Sequence, residues 1–575
     1  MQNFIRYLIL VDNSKNRLLF LLIVPIILYV SMLHIMPLLD PDESRYSEIS
    51  DNMNDTGDYV TPRVNHVVYL EKPPLTYWAT AVAFKIFGEN EFSARIFSGL
   101  CTWGCILLTF AMGSFLYDEK TGLYSAGVLS TFLYIYVLGR MNILDIPLTF
   151  FVCLATWAGY RYMVANRTVK YWLYLLYTAS ALAFLTKGLI GIIFPFAILT
   201  LWLLISKRVW DILKLFSPVG LFILIAIVSP WIILVQRANK DFLWFFFVRE
   251  HFLRYTTDIH ERDQSILFYL PVVVLGILPW VAYLIQAIQA KRMGLYNVAF
   301  KRTNLSFLVT WIVFIFAFFS VSSSKLVPYI APLFLPIAVI LGHLFRGYDE
   351  QAWRPMRKMT DKLYHHLPIV LQSMLFITLL LLPLFLKDHT NLGRDLVIIQ
   401  SYNWIWLILP AIIIQLLMIF LPEMIKRRFN SGWFLTTYLL SALFLASLIY
   451  PASAFLTPYK TSYPLSQAVK SGLPAGEAIY QYKIFLYGIE NYTEIRTAVV
   501  VSFGEMSFGM QKLSADEKSR YFLSEQDFFR LVREKEGAVY CITTKKENFD
   551  ELKKEFPRLQ IIWSNNFQYF MRLPQ

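Results

Sequence analysis

The residues best suited to chemistry lie in the stretch 40–75, which carries charges, aromatic side chains and prolines after the first long apolar run. Asp42 and Arg45 stand near its start, and Glu71 and Lys72 near its end. A carboxylate can act as a base, while Arg and Lys bind phosphate, Arg through paired hydrogen bonds and Lys as a point charge. A solvated loop between membrane helices would also be polar, but this density of charge, proline and aromatic residues favours a functional site.

The local elements that position these side chains can be predicted. Asp40 is expected to cap a helix with Pro41 at its first position and Glu43 as the capping-box partner. Gly57 is expected to end that helix. Because a proline follows Lys72, that residue is kept out of the helical region. The pattern therefore predicts a short amphipathic helix at the membrane surface, followed by a stiff loop that carries the glutamate–lysine pair.

The composition indicates a membrane protein. Of 575 residues, 57% are hydrophobic and 16% are charged, whereas a soluble protein has about 25% charged residues. Apolar runs of about 18 residues or more recur, which predicts an α-helical polytopic membrane protein rather than a β-barrel with short alternating strands. The net charge of +13 suits anionic membrane lipids and gives no reason to expect nucleic acid as a partner. The four cysteines indicate no disulfide framework.

Hydropathy and charge predict the topology. The first apolar run is read as a retained helix rather than a cleaved signal peptide. Lys and Arg collect in one alternating set of connections, which is expected to be cytoplasmic together with the N-terminus, so loops 40–91 and 237–264 face outside. Residues 75–87 are expected to form a short interfacial helix. About thirteen spans are predicted, near residues 18–39, 92–116, 121–138, 143–162, 171–186, 188–206, 212–236, 265–287, 304–321, 326–345, 367–386, 402–421 and 432–450.

The composition changes near residue 451. Residues 1–450 are predicted to form the membrane domain with its outer loops, and residues 451–575 a C-terminal α/β domain outside the membrane. This second domain carries no chemical motif, so a lid, a partner-binding module and a structural cap all remain open. Its predicted strands are 478–482, 497–501, 538–543 and 560–563, and its predicted helices are 524–534 and 546–555.

Ionisable residues are nearly absent from mid-span positions and collect at the outer ends of the predicted spans. They include Arg140, Asp145, Lys187 and Lys325. Each one alone could be a helix-end charge that snorkels or forms a pair. Their occurrence on one side of the membrane instead predicts a shared pocket beneath the outer loops.

The chemistry of that pocket is predicted from its charges. Arg45, Lys72, Arg254 and Lys325, with Arg140 as a further candidate, are more cations than a neutral substrate needs, and cations at headgroup level suit a lipid-borne phosphate. The two aspartates nearest the membrane are Asp42 and Asp145. They are suited to orient sugar hydroxyls or an amine, or to act as a base.

A divalent metal is a further hypothesis. The second outer loop contributes Glu250, His251 and His260. Together with Glu71, His251 could ligate zinc, magnesium or manganese. From the residues alone, a buried, hydrogen-bonded histidine is the alternative. No organic cofactor is expected.

Motifs in the region 40–335 resemble, in the same order, those of a known family. They are DPDESRYSEI, GDYVTPR, YLEKPPLTYW, GENEFSARI, RMNILDIPLTFF, LTKGLIG, REHFLRYT and SSSKLVPYIAPL. Together they are similar to those of the bacterial aminoarabinose transferases, which belong with the protein O-mannosyltransferases among the polyprenyl-phosphate-dependent glycosyltransferases of the C fold. The chain departs from the pattern at Tyr59, where Trp is expected, and after Leu326, where Val-Pro replaces Pro-Thr. These departures leave open which sugar is carried.

The resemblance implies an inverting transferase in the bacterial inner membrane, with its active site facing the periplasm. Such an enzyme would move 4-amino-4-deoxy-L-arabinose, or a related amino sugar or hexose, from undecaprenyl phosphate to lipid A or another periplasmic acceptor. By motif, Lys72 and Tyr329 would bind the donor phosphate, and Asp42 and Asp145 would be the functional acids. Glu71 would share a metal site with His251.

Two other function classes remain open. A protein O-glycosyltransferase, such as a mannosyltransferase, shares the scaffold and donor and differs in the acceptor. A phosphate acceptor is already anionic, whereas a Ser or Thr hydroxyl would need a base, for which Asp42 is the candidate. A transporter of lipid-linked sugars would place polar groups near the membrane midplane at broken, repeated helices. The sequence shows neither feature.

Overall fold

The computed structural model describes residues 23–165, 169–253, 264–294, 298–350, 359–386, 404–429, 432–565 and 567–574. Its residue contacts divide the chain into two compact units. The first comprises Met1–Met32, Ile96–Leu382 and Ile405–Leu448, and the second comprises Leu33–Arg95, Pro383–Trp404 and Ile449–Gln575.

The first unit is helical, as expected for apolar segments that must satisfy their backbone hydrogen bonds internally. Its irregular helices are the 3₁₀ turns Val209–Leu215 and Val327–Leu333 and the π-helix Trp244–Leu253. The α-helices that lie wholly or mainly in it are Glu91–Leu116, Glu119–Ser130, Leu133–Leu138, Asp145–Val164, Tyr171–Lys187, Ile190–Ile205, Pro218–Ala238, Tyr269–Gly276, Trp280–Arg292, Arg302–Val321, Phe334–Glu350, Met359–Leu386, Trp404–Phe429 and Trp433–Ser447.

The chain is a multi-span membrane protein. Within the described ranges, seven helices are long and apolar enough to cross a membrane, or eight if Tyr269–Gly276 and Trp280–Arg292, bent by 85°, form one span. The predicted count of about thirteen stays a prediction, because several predicted spans fall on short or interrupted helices. The run 121–138, for example, is divided between Glu119–Ser130 and Leu133–Leu138.

A tight helical reversal positions Lys187, one of the candidate residues of the first unit. Lys187 ends the Tyr171–Lys187 helix, and Gly188, with φ of 89°, turns the chain into the next helix. Gly191 lies against the backbone of Ala183, where a Cβ would be 2.4 Å from the carbonyl carbon. Small residues allow such close approach of helices in membranes. The turn therefore holds the lysine at a fixed helix end.

The second unit combines Leu33–Arg95, which include the predicted first outer loop, with the C-terminal region. Its helices are Asp42–Thr56, Leu75–Phe87, Ile449–Lys460, Tyr463–Gly472, Gly488–Thr493, Ser507–Met510, Ala515–Tyr521, Glu525–Glu534 and Lys546–Glu555, with a 3₁₀ turn at Gly504–Met506.

A six-stranded mixed sheet forms the core of the C-terminal domain. Counted across the sheet, the first four strands run parallel to one another. Each of the last two strands is antiparallel to the strand before it. Phe528 and Phe549 from two helices pack on one face, and Leu465 and Val469 on the other. The predicted α/β domain is thus confirmed. Across the sheet the strands are Phe522–Leu523, Ala498–Val500, Ile479–Tyr482, Val539–Thr543, Tyr569–Leu573 and Gln560–Ser564.

The first outer loop contains the predicted helix, now seen as Asp42–Thr56, and Gly57 ends it with φ of 69°, as expected. The predicted cap is wrong. Asp40 makes no cap hydrogen bond, because its carboxylate accepts hydrogen bonds from Ser462 Oγ and, at 3.2 Å, from the backbone N–H of Gly488. The helix also lacks the solvated polar face of a surface helix. Residues 43–50 are buried by the elements packed around them.

A short hairpin connects this helix to the loop that carries Lys72. Its strands, Arg63–Val64 and Val67–Val68, pair antiparallel. Asn65 and His66 form the turn with φ of 47° and 62°, the left-handed geometry that two-residue hairpins favour. The Leu75–Phe87 helix then begins at the predicted position.

Candidate functional site

Arg45 is enclosed within the second unit. Its guanidinium forms ion pairs with Asp42 and Glu505, and its side chain is 7% exposed while that of Asp42 is 52% exposed. Burial lowers the pKa of Arg45, but the surrounding tyrosines and Asp42 raise it above its ordinary value, so the side chain stays charged. Arg45 is thus held as a structural cation, and its predicted role in binding the donor phosphate stays a prediction.

Aromatic rings complete this enclosure. The Arg45 guanidinium carbon lies 5.1 Å from the ring centre of Tyr46, 5.7 Å from that of Tyr69 and 5.4 Å from that of Tyr487. Such distances are typical of cation–π contacts. Two of these groups, Tyr487 and Glu505, belong to the C-terminal domain, for which the sequence indicated no chemical role.

The Glu71–Lys72 pair follows Tyr69 in the same loop. Lys72 Nζ lies 3.6 Å from Glu71 Oε2 and donates a hydrogen bond of 3.2 Å to the Glu71 carbonyl oxygen. Side-chain exposure is 14% for the lysine and 7% for the glutamate. A lysine that is partly withdrawn from water exerts a stronger electrostatic effect on a nearby anion than an exposed one.

Tyr69 links this pair to the Arg45 cluster. Its hydroxyl group lies 3.3 Å from Glu71 Oε2 and 3.3 Å from Glu505 Oε2, so it can donate its proton to either carboxylate. Burial raises the pKa of Tyr69, so the phenol stays protonated and remains a donor. A continuous path of contacts thus runs from Lys72 through Tyr69 and Glu505 to Arg45 and Asp42. The sequence offered Tyr69 within the YLEKPP motif but no signal for Glu505.

In the first unit, Asp145 and Lys187 form an ion pair. Lys187 Nζ lies 2.6 Å from Asp145 Oδ1, and each side chain is 12% exposed. The same Nζ lies 4.7 Å from the ring centre of Tyr329. The structure therefore places three sequence-predicted residues in one cluster, on two helix ends and the Val327–Leu333 turn.

Hydrogen bonds to backbone carbonyls fix the turn that carries Tyr329. Tyr134 donates to the Val327 carbonyl oxygen at 2.7 Å, and Tyr269 donates to that of Leu326 at 3.1 Å. Lys325 is 6% exposed, and its Nζ donates to two more carbonyl oxygens, at 2.6 Å to Ser322 and at 2.8 Å to Gln264. These hydrogen bonds connect the segment at Gln264 to the segment that leads into the Val327–Leu333 turn. The predicted binding of phosphate by Lys325 is not tested.

Arg140 likewise serves the fold. Its guanidinium donates to the carbonyl oxygens of Leu28, Ser31 and Met32, at the end of a further helix of the first unit, residues 23–30. These are C-terminal carbonyls that no helical N–H reaches. The cation thus stabilises a helix end, the alternative that the sequence had left open.

The second outer loop is only partly described. Arg254 and the side chain of His251 lie outside what the structure describes. The hypothesis that Arg254 binds phosphate and that His251 completes a metal site with Glu71 therefore stays a hypothesis. Among the described residues, no group of three His, Cys, Asp or Glu side chains has metal-binding geometry.

Each unit therefore gathers predicted residues. The second holds Asp42, Arg45, Glu71 and Lys72 along one path of contacts, and the first holds the Asp145 cluster. Both clusters can orient polar or anionic groups. The prediction that they share a single pocket concerns both units and stays a prediction.

Comparison with known proteins points to sugar transferases. A sequence profile described as dolichyl-phosphate-mannose-protein mannosyltransferase matches residues 71–234. An undecaprenyl phosphate-alpha-4-amino-4-deoxy-L-arabinose arabinosyl transferase of Pseudomonas fluorescens is 34% identical over 53% of this chain and 55% of its own length. Another, of Proteus mirabilis, is 33% identical over 61% of this chain and 62% of its own length. The matched region thus spans less than two thirds of either relative.

Solved structures establish the fold. The crystal structure of ArnT from Cupriavidus metallidurans bound to undecaprenyl phosphate superposes with a TM-score of 0.79, at 21% identity, over 96% of this chain and 97% of that one. Its apo form gives 0.78 at 22% identity, over 97% and 98% of the two chains. The predicted glycosyltransferase C fold with a C-terminal α/β domain is therefore confirmed.

Proposed function

We propose that this chain is an integral-membrane glycosyltransferase that moves a sugar from an undecaprenyl-phosphate donor to lipid A. The observation that carries the proposal is the partly buried Lys72, held beside Glu71 and Tyr69 on a loop of the ArnT-like fold. The sugar is 4-amino-4-deoxy-L-arabinose, which is named for the relatives that match at 34% and 33% identity.

In the proposed reaction, the bond between the sugar's anomeric carbon and the donor phosphate oxygen breaks. The electron pair leaves with the polyprenyl phosphate, and the ammonium group of Lys72 stabilises the negative charge that grows there. An oxygen of the acceptor forms the new bond on the opposite face of the sugar ring, which inverts the configuration. Tyr329, beside Lys187 in the first unit, remains the second candidate ligand of the donor phosphate.

The ion pairs of the two acids favour a phosphate acceptor. Asp42 is paired with Arg45, and Asp145 with Lys187. If either carboxylate took a proton from a hydroxyl group, its negative charge would be neutralised and its ion pair would be weakened. A lipid A phosphate needs no such step, because its oxygen is already anionic near neutral pH. The two acids instead orient the sugar, whose amino group and hydroxyls are natural partners for carboxylates.

Protein O-glycosylation is the second candidate. The family profile of protein mannosyltransferases covers residues 71–234, which include Lys72 and Asp145. In that case the acceptor would be a Ser or Thr hydroxyl and Asp42 would act as the base. The aspartate is half-exposed, so an acceptor can reach it.

The proposed location is the bacterial inner membrane, with the N-terminus in the cytoplasm and the active site in the periplasm. Connections rich in Lys and Arg support this orientation, because such loops stay on the cytoplasmic side. The Lys426–Arg428 cluster ends the Trp404–Phe429 helix, for example. In the same topology the loop with Lys72 lies outside.

Mass spectrometry of cells with and without the protein tests the acceptor. We expect lipid A to gain the mass of one aminopentose on a phosphate group, and the gain to disappear with Lys72→Ala. Unchanged lipid A together with newly glycosylated proteins would refute the lipid acceptor and support the second candidate. No change in either would refute both.

A further inference from the structure

Two arginines of the C-terminal domain contact the same aromatic ring. The guanidinium carbon of Arg496 lies 3.8 Å from the ring centre of Tyr521, and that of Arg520 lies 5.4 Å from the same centre. Such distances are typical of cation–π contacts. Arg520 is exposed, whereas Arg496 is partly buried. Because both cations lie against one ring, they act on the same small region of the domain surface.

The sheet of the C-terminal domain fixes this arrangement. Arg496 lies two residues before the strand Ala498–Val500, and Tyr521 directly precedes the strand Phe522–Leu523. The two strands are parallel neighbours, so their amino ends lie side by side. Phe522–Leu523 is also an edge strand of the described sheet. The two arginines therefore meet at an open corner of the sheet.

The guanidinium of Arg496 is partly withdrawn from water without an acceptor. Its Nε and Nη2 atoms are buried, and neither makes a hydrogen bond within the described part of the chain. These two nitrogens carry most of the N–H donors of an arginine. A buried charged donor without an acceptor is costly, and the face of an aromatic ring attracts the cation without accepting its in-plane N–H groups. An external anion would complete the arrangement.

The acid closest in sequence to Arg520 is engaged elsewhere. Glu517 lies one turn before it on the same helix, and its carboxylate accepts hydrogen bonds from Ser514, at 2.9 Å from the hydroxyl group and at 3.3 Å from the backbone N–H. Neither Arg496 nor Arg520 forms an ion pair with any carboxylate that the structure describes. Both charges thus remain available to a bound anion.

We propose that Arg496 and Arg520 form a phosphate-binding site on the C-terminal domain, with Tyr521 as its aromatic wall. Two guanidinium groups suit the double charge of a phosphate monoester, and each can donate paired hydrogen bonds to its oxygens. The identity of the occupant rests on the proposed function: it is a phosphate group of the glycolipid acceptor. Of the roles that the sequence left open for this domain, binding is therefore the one assigned.

A contact with the hairpin of the second unit supports this occupant. The side-chain amide of Asn65, in the hairpin turn, donates a hydrogen bond of 3.1 Å to the carbonyl oxygen of Thr497, which directly follows Arg496. The hairpin leads into the loop that carries Lys72. An acceptor bound at the arginines is thus held by the same unit that carries the candidate leaving-group lysine.

Binding of lipid A to the full-length protein in detergent tests the site. By microscale thermophoresis we expect Arg496→Gln and Arg520→Gln each to weaken the binding of bisphosphorylated lipid A by ~5-fold or more. Neither variant should change the binding of dephosphorylated lipid A. Arg530→Gln is the matched control, because Arg530 is 63% exposed in the same domain and is already paired with Asp527 at 3.2 Å. Unchanged affinity in both variants would overturn the proposal.

Inorganic phosphate distinguishes a free anion from a glycolipid. We expect millimolar phosphate to compete with bisphosphorylated lipid A for the wild type and to have less effect on Arg496→Gln. If phosphate raised the wild-type Tm through Arg496 while lipid A bound equally well to the wild type and both variants, the site would take the free anion. That result would overturn the assignment to the glycolipid.

Transfer kinetics separate this proposal from the proposed function. Both variants should raise the KM for lipid A and leave kcat within about 2-fold, because the contact lies outside the reacting atoms. A merely structural role would instead lower Tm and kcat. A wild type that binds lipid A through Arg496 but transfers no sugar would refute the proposed function and leave the site. Normal transfer with an unchanged KM in both variants would refute the site and leave the function.

Discussion

Arg95 and Glu43 form a completely buried two-point ion pair. Arg95 Nε lies 2.7 Å from Glu43 Oε1, and Nη2 lies 2.8 Å from Oε2, with side-chain exposures of 1% and 0%. The guanidinium also donates to the carbonyl oxygens of Leu33 and Pro37. The pair therefore joins the start of one long helix to the first turn of the helix that carries Asp42.

Removing the arginine of this pair should be strongly destabilising. In Arg95→Ala, Glu43 would remain buried without its cation, a change that costs about 3–5 kcal/mol. We expect little folded protein after extraction, measured by size-exclusion chromatography and thermal unfolding. Arg63→Ala is the control, because Arg63 is 34% exposed and 3.8 Å from Asp58, and it should cost less than about 1 kcal/mol. Similar losses of stability in Arg95→Ala and Arg63→Ala would contradict the conclusion that the buried ion pair stabilises the fold more than the exposed one.

The Asp145–Lys187 pair should show strong coupling in a double-mutant cycle. Lys187→Met leaves a carboxylate at 12% exposure without its cation, so we expect a loss of about 3 kcal/mol in unfolding free energy. Asp145→Asn combined with Lys187→Met should lose less than the two single changes added together. Thermal unfolding of all four proteins measures the coupling. Additive losses would show that the pair contributes little.

Gly509 should be essential for packing between the C-terminal domain and the hairpin. A Cβ at this position would lie 2.1 Å from the carbonyl oxygen of Val68, which directly precedes Tyr69. Gly509→Ala must push the two backbones apart, at about 1–3 kcal/mol, and should lower both Tm and sugar transfer. At Gly472 the nearest atom is a side-chain carbon of Phe570 at 3.0 Å, so Gly472→Ala should be milder. A wild-type Tm in Gly509→Ala would exclude this contact.

Asp42→Asn separates the two acceptor classes. Asparagine keeps the shape and a hydrogen-bonding oxygen but cannot take a proton, while the Arg45 enclosure retains Glu505. For a lipid A phosphate acceptor we expect transfer to continue with less than a ~10-fold loss, because no base is required. A loss of about 10²–10⁴-fold would instead be the size expected when a general base is removed. Transfer rates with purified lipid A give the answer.

The fold was largely predictable, because its signals are local. Apolar runs located most helices, alternation and turn residues located the C-terminal strands, and Gly57 correctly marked a helix end. The bend of 85° before Trp280 was not visible in hydropathy, since both of its arms are apolar. Asp40 was misassigned as a cap because its partner, Gly488, is remote in sequence.

The candidate site was predictable where motifs carry the residues. The motifs named Lys72, Asp145 and Tyr329 as candidates, and the structure places the last two beside Lys187, while the roles of all three stay predictions. Glu505 was not predicted, since it contacts Arg45 across 460 positions of sequence and no local pattern indicates such a contact. Lys325 was expected to bind phosphate because it is cationic, yet its position between two carbonyl oxygens depends on tertiary packing that the sequence does not encode locally.

The most direct test of the central claim is sugar transfer in detergent with purified protein, undecaprenyl-phosphate aminoarabinose and lipid A. We expect the wild type to release undecaprenyl phosphate and add one sugar to lipid A without a sealed compartment. Lys72→Ala should lose transfer while inserting into the membrane normally, and Lys85→Ala, which changes an exposed lysine of the same unit, should retain it. Near-normal transfer by Lys72→Ala would contradict the leaving-group role, and no transfer by the wild type would contradict the enzyme itself.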